Sequence, residues 1–279
     1  MAVPVLQTSA SNQGDASTLA ITKPTDTVDN DLLIAVLCSS NSRTVTTLSG
    51  WTLIDSGTNS DCNTYVYSKI ASSEGASYTW TFSSTGNNYG WIGRIDGHAG
   101  VSFLADNAKG TSSGTTLTFA DAAVATTTNL LLFIVGHSQN DGNSNTISTY
   151  ATTNNNPSSW TELVDLQSTS TASGGLAVAW GNSTGSGSTG NFTAASSDTD
   201  TAAVGLLLSI QPPINVTVSP AVIDMTTSVQ APSVTGDANV SPTVVDMTAS
   251  VQSPTVTLST PKWNNTAKTS TTWTNESKS

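Results

Sequence analysis

Leu32-Leu33-Ile34-Ala35-Val36-Leu37 and Leu130-Leu131-Leu132-Phe133-Ile134-Val135 are two apolar runs standing 98 positions apart. Each is too short for a buried helix and is apolar at every position. Both therefore read as central strands covered on both faces. Other stretches alternate. Tyr65, Tyr67 and Lys69 share one face with Val66 and Ser68 opposite, and Tyr78, Trp80 and Phe82 share a face with Thr79 and Thr81 opposite.

Working outward from the two runs, the chain repeats itself. Thr18-Leu19-Ala20-Ile21 matches Thr116-Leu117-Thr118-Phe119 at the same offset of 98. Trp51-Thr52-Leu53-Ile54-Asp55 meets Trp160-Thr161-Glu162-Leu163-Val164-Asp165 at 109, and Tyr65-Val66-Tyr67 meets Leu176-Ala177-Val178 at 111. Thr81-Phe82-Ser83 meets Asn191-Phe192-Thr193 at 110, and Tyr89-Gly90-Trp91 meets Ala202-Ala203-Val204 at 113. Offsets that change only between segments are what duplication followed by loop drift produces. Each half holds several short strands bounded by Gly, Asn, Asp and Ser turns.

The expected fold class is all-β: an internally duplicated, jelly-roll-like β-sandwich over residues 1–212, with halves of about 1–99 and 100–212. Two separate sandwiches in tandem are the alternative. Asp96-Gly97-His98-Ala99-Gly100 runs straight into Val101-Ser102-Phe103-Leu104 without a linker, which favours one fused core. Gln211-Pro212-Pro213 closes the domain, because two prolines cannot continue a paired strand.

Residues 213–258 follow as two 22-residue repeats of short extended β segments, the first around Asp224-Met225-Thr226 and the second around Asp246-Met247-Thr248. Units so poor in apolar residues must lean on something else to fold. The tail, 259–279, repeats Trp263-Asn264-Asn265-Thr266-Ala267-Lys268 as Trp273-Thr274-Asn275-Glu276-Ser277-Lys278. Trp263, Trp273, Met225 and Met247 are the candidate assembly and interface residues, since apolar side chains without a local core make interface anchors.

Eight Lys and Arg against nineteen Asp and Glu give a net charge of −11. That charge repels nucleic acid and anionic membrane, and no nucleic-acid partner is expected. No run is long and apolar enough to insert in a membrane, and residues 1–20 lack the basic start and apolar run of a secretion signal. A route out of the cell would be release within an assembled particle. Of the two cysteines, Cys38 ends an apolar strand as a buried thiol, while Cys62 reads as part of a polar turn.

Little here suggests catalysis. His98 and His137 have no His or Cys at metal-ligand spacing, and Glu74, Glu162 and Glu276 are isolated from one another. Asp198-Thr199-Asp200 reads as a solvated loop. No catalytic residue, metal site or cofactor is expected. Sugar binding is more plausible, because aromatic rings beside Asn side chains in loops suit glycans. Asn88, Tyr89, Trp91, Asn143 and Asn155 are the candidates, although Trp51 and Trp160 occupy matching positions and read as core residues.

Asp29-Asn30-Asp31-Leu32-Leu33-Ile34-Ala35, Gly50-Trp51-Thr52-Leu53, Tyr65-Val66-Tyr67-Ser68-Lys69-Ile70-Ala71 and Tyr78-Thr79-Trp80-Thr81-Phe82-Ser83 together resemble virion proteins of tailed bacteriophages. The closing Trp-x-Asn-x-x-Lys repeats resemble tails of phage minor structural proteins. The resemblance implies a virion component, whether tail, fibre or capsid-surface subunit, that partners other virion proteins and copies of itself. It also implies possible contact with a host cell-surface glycan, and assembly in the host cytoplasm with release by lysis.

Overall fold

A computed structural model describes residues 3–119, 124–139, 145–168 and 174–213. The repeats at 213–258, the tail at 259–279 and Asn143 lie outside them, apart from Pro213 itself. The described chain is built of antiparallel strands, as the shortage of helix formers requires. The first half runs through Val5–Gly14 (β1), Thr18–Thr22 (β2), Leu32–Ser40 (β3), Val45–Thr46 (β4), Thr52–Asn59 (β5), Cys62–Ile70 (β6), Ser77–Phe82 (β7) and Asn88–Asp96 (β8). A short 3-10 turn at Gly100–Ser102 leads into Leu104–Phe119 (β9), Ala125–Thr126 (β10), Leu130–Ser138 (β11) and Ile147–Thr152 (β12). Thr161–Gln167 (β13), Gly174–Asn182 (β14), Gly187–Ser188 (β15) and Phe192–Ile210 (β16) complete it.

In the first half the large sheet has the order β1-β8-β3-β6-β5, and a small sheet has the order β2-β7-β4. In the second, β9 and β11 flank Ala202–Ile210 of β16, and β14 and β13 continue that sheet outward from β11. The opening residues of β16, Phe192–Ser196, pair instead with the end of β9 on one side and with β12 on the other. The long strands β9 and β16 thus serve both a large and a small sheet. The change falls at the register irregularities between Ala195 and Ala203.

Three cores follow from this layering. On β3, Leu32, Ile34, Val36 and Cys38 face a central core, while Leu33, Ala35 and Leu37 face the small sheet of their own half. On β11, Leu130, Leu132 and Ile134 point into the same central core, and Leu131, Phe133 and Val135 point outward. The continuous apolar runs are therefore covered on both faces, because each large sheet is sandwiched between its own small sheet and the other large sheet. Each half is thus a large sheet backed by a small one, and the two large sheets face each other across one shared core.

The close approach of the large sheets depends on small residues. A Cβ at Gly57 would lie 2.4 Å from Val204 Cγ1, so β5 can sit against β16 only with glycine there. Polar ties fasten the rim. Lys109 Nζ donates to Asp55 Oδ1 at 2.7 Å, Asn107 Nδ2 to Asp55 Oδ2 at 2.9 Å, and Asn59 Nδ2 to Ser112 O at 2.9 Å.

Strand pairing places corresponding segments of the two halves at offsets other than those the sequence match gives. Val36 pairs with Val66, and Ile134 pairs with Val178, which sets the offset of that strand at 112 rather than 111. One residue of slip exchanges the two faces, and only this register sends Val66 and Val178 together into the central core. Leu37 pairs with Gly90 and Val135 with Gly205, an offset of 115 rather than 113. Leu19 pairs with Trp80 and Leu117 with Ala194, which moves the 110 to 114.

Candidate functional site

Asn88 and Tyr89 begin β8, where Gly14 and Gln13 at the end of β1 are their cross-strand partners. The turn before them is made by Gly86, whose φ of +145° suits glycine and whose missing side chain leaves room for the Arg43 guanidinium. Arg43 Nη1 donates to Ser40 O, which ties that turn to the end of β3. On the other half, β13 ends at Gln167 beside Ser168. Gln13 Nε2 donates to Gln167 O at 2.9 Å and joins the two halves at this point.

The result is a recess of about 330 Å³ on the seam between the halves, lined by Gln13, Asp15, Asn88, Tyr89, Gln167 and Ser168 among others. Gln13 and Asp15 are exposed at its rim. Asn88 is fully buried; its Nδ2 donates to Ala16 O at 2.7 Å, while its Oδ1 has no hydrogen-bond partner among the described residues. Such an oxygen costs about 1–3 kcal/mol until something donates to it. Burial, with the Cys38 thiol adding to it, pushes the Tyr89 hydroxyl well above the usual tyrosine range, so it stays protonated.

The other candidates named from the sequence are placed differently. Trp91 is 0% exposed inside the central core, and Tyr89 is 1% exposed, so neither ring offers a free face on which a sugar could stack. Asn88 is on a strand rather than in a loop, and it contributes through its amide alone. Asn155 is exposed with φ at +50°, in the loop before Asn156-Pro157, on a part of the surface that does not line the recess. Asn143, Met225, Met247, Trp263 and Trp273 lie outside the described residues. Trp51 packs edge-on against Tyr78 and Trp80 at 5.2 and 5.3 Å, and Trp160 packs against Phe133 at 5.4 Å, each serving the outer core of its own half.

A second feature was not legible in the sequence. Asp200 is not in a solvated loop: it lies within β16, 1% exposed, with its Oδ1 at 3.0 Å from His137 Nδ1. Asn145 Nδ2 donates to the same oxygen at 2.7 Å, and Ser196, Ser197 and the Asp198 amide in turn donate to Asn145 Oδ1. The chain closes over the ring, since a Cβ at Gly175 would lie 2.3 Å from His137 Nε2. His137, Asp200 and Asn145 are all buried, so the network is an internal polar brace. Nearby, burial raises the Asp165 carboxyl to about 6 against the opposing pull of the Ile147 amide and of His137. His98 is likewise structural: Gly100 N–H donates to its Nδ1, so its Nε2–H donates to Asn30 O.

Cys62 also departs from expectation. It opens β6 fully buried rather than sitting in a turn, and its Sγ is 3.9 Å from that of Cys38, both thiols free. Among the described residues no three His, Cys, Asp or Glu side chains gather for a metal ion, and no helix is long and apolar enough to cross a membrane.

A third feature lies at Gln211, near the end of the last described stretch. Gln211 N donates to Phe103 O at 2.8 Å and Gln211 Nε2 to Ser102 O at 2.6 Å. Beside it is an apolar groove of about 390 Å³ whose lining includes Leu53, Ile54, Val101, Phe103 and Leu104. Leu53 and Val101 are 45% and 59% exposed.

Fold and site together define an all-β protein of sandwich-like construction with a polar seam recess and an apolar groove. No family model, curated protein or solved structure matches the chain.

Proposed function

We propose that the chain is a non-catalytic virion structural subunit of a tailed phage, in a tail, fibre or capsid-surface position. In this reading its two halves are copies of one sandwich, and together they form a rigid head. Residues 213–279 join the head to other virion proteins and to copies of itself. The observation that carries the reading is the apolar groove: Gln211 is tied beside it, Leu53 and Val101 are exposed in it, and the sequence that follows bears Met225, Met247, Trp263 and Trp273. Apolar side chains in that segment, and an apolar groove on the head, are the materials of a subunit contact. The resemblance of the strand motifs and of the Trp-Asn-Lys tail to phage virion proteins points the same way.

The test is antibody labelling of purified particles from cells producing the full chain. Label on the particles, lost when the chain is truncated after Pro213 while the truncated chain still accumulates folded, is the expected result. Particles without the chain, or normal incorporation of the truncated form, would overturn the reading. A second reading, a carbohydrate-binding module without catalysis, draws on the polar recess.

A further inference from the structure

We propose that the seam recess binds a neutral, hydroxyl-rich ligand, a mono- or disaccharide unit. This deepens the carbohydrate-binding reading and stands apart from the particle reading. The recess exists only because the two halves pack together, and its floor and walls come from both: Gln13, Asp15 and Asn88 from one, Gln167 and Ser168 from the other. Junctions of this kind are where small-molecule sites concentrate, and about 330 Å³ is at the lower end of the usual range.

The lining selects the chemistry. Asp15 and Gln13 Oε1 are acceptors, and each of the Gln13 and Gln167 amides has one N–H beyond the one it gives to Gln167 O or to Asp165 Oδ2. A sugar hydroxyl can do both things at once, donating to the Asp15 carboxylate or to Gln13 Oε1 while accepting from an amide N–H. The Asp15 charge disfavours anions. A single carboxylate among amides falls short of the oxygen set that a divalent cation requires. Because the Tyr89 and Trp91 rings are buried, no ring stacking contributes. Binding is led by hydrogen bonds and is weak, with Kd in the range of about 1 mM.

Saturation-transfer NMR on the full chain tests this, with glucose, galactose, mannose, N-acetylglucosamine, lactose and maltose as probes and sialic acid as the anionic comparison. The expected result is transfer to at least one neutral sugar. Its Kd should weaken roughly tenfold or more in the Q13A/D15A double variant and stay unchanged in N155A. The double variant loses the Gln13–Gln167 hydrogen bond, so its thermal unfolding is measured beside the parent's and binding is compared at a temperature where both are fully folded. No transfer to any neutral sugar, binding unaffected by Q13A/D15A, or preference for sialic acid would each overturn the proposal. Particle labelling is scored on the unsubstituted chain, so failure here leaves the virion reading standing and the reverse also holds.

Discussion

Thr64 Oγ1 occupies the space that a side chain on Gly136 would need: a Cβ there would lie 2.0 Å from it and 2.8 Å from Cys38 Sγ. Thr64 is on β6 of the first half and Gly136 on β11 of the second, so this contact measures how tightly the large sheets close on each other. Gly136→Ala should therefore destabilise the head by about 1–3 kcal/mol, since neither neighbour is a flexible chain end that could swing aside. Urea unfolding followed by circular dichroism reads the change. A variant as stable as the parent would mean that the sheets are further apart than this packing requires.

Trp91→Ala should act on stability. Its ring fills the central core, and truncation of a large buried aromatic costs about 3–5 kcal/mol. The expected outcome is a large fall in the unfolding midpoint. Selective loss of sugar binding with unchanged stability would contradict the placement of this ring.

The fold was legible where apolar residues fell in runs. Leu32–Leu37 and Leu130–Val135 announced two-faced strands, and the matching Trp51 and Trp160 announced core positions. It was illegible where both faces of a strand are apolar, because alternation then no longer fixes register. Tyr65-Val66-Tyr67 can be laid over Leu176-Ala177-Val178 or over the next register with equal hydrophobic agreement, and only the pairing with β3 and β11 decides. The seam recess was half legible. Asn88 and Tyr89 were visible as an Asn-aromatic pair, but Gln13, Asp15 and Gln167 reach them only through strand pairing and the packing of the halves. Asp200 was hidden for a related reason: Ser196-Ser197-Asp198-Thr199-Asp200 is locally a polar loop, and its partner His137 is 63 positions away.

That partner yields a further prediction. Asp200→Ala takes the Oδ1 acceptor from the buried imidazole and the Asn145 amide and should cost about 1–3 kcal/mol. Adding His137→Leu to it should recover part of the loss, so the double variant is more stable than the sum of the single effects. A double-mutant cycle by urea unfolding checks this, and strict additivity would show that the two side chains do not interact.

Asp165 makes a prediction in pH. Burial raises its carboxyl from the ordinary 3.8 to about 6, so the folded state holds the proton more tightly than the unfolded state. The stability it contributes is complete below about pH 4 and lost as pH rises through about 6. Asp165→Asn, which cannot ionise, should leave the urea midpoint higher than the parent's at pH 7 relative to the difference at pH 4. Parallel pH profiles for the two chains would contradict the raised value.

The shared core is the claim on which the rest depends, because it makes one head of two sandwiches and creates the seam. Native-state hydrogen exchange on the full chain, read by mass spectrometry at increasing urea, tests it directly. Peptides covering Leu32–Ser40 and Leu130–Ser138 line opposite walls of that core. They should lose protection together, at the same urea concentration and with the same opening free energy. Exposure of one while the other stays protected would show two independent sandwiches, and would contradict the account.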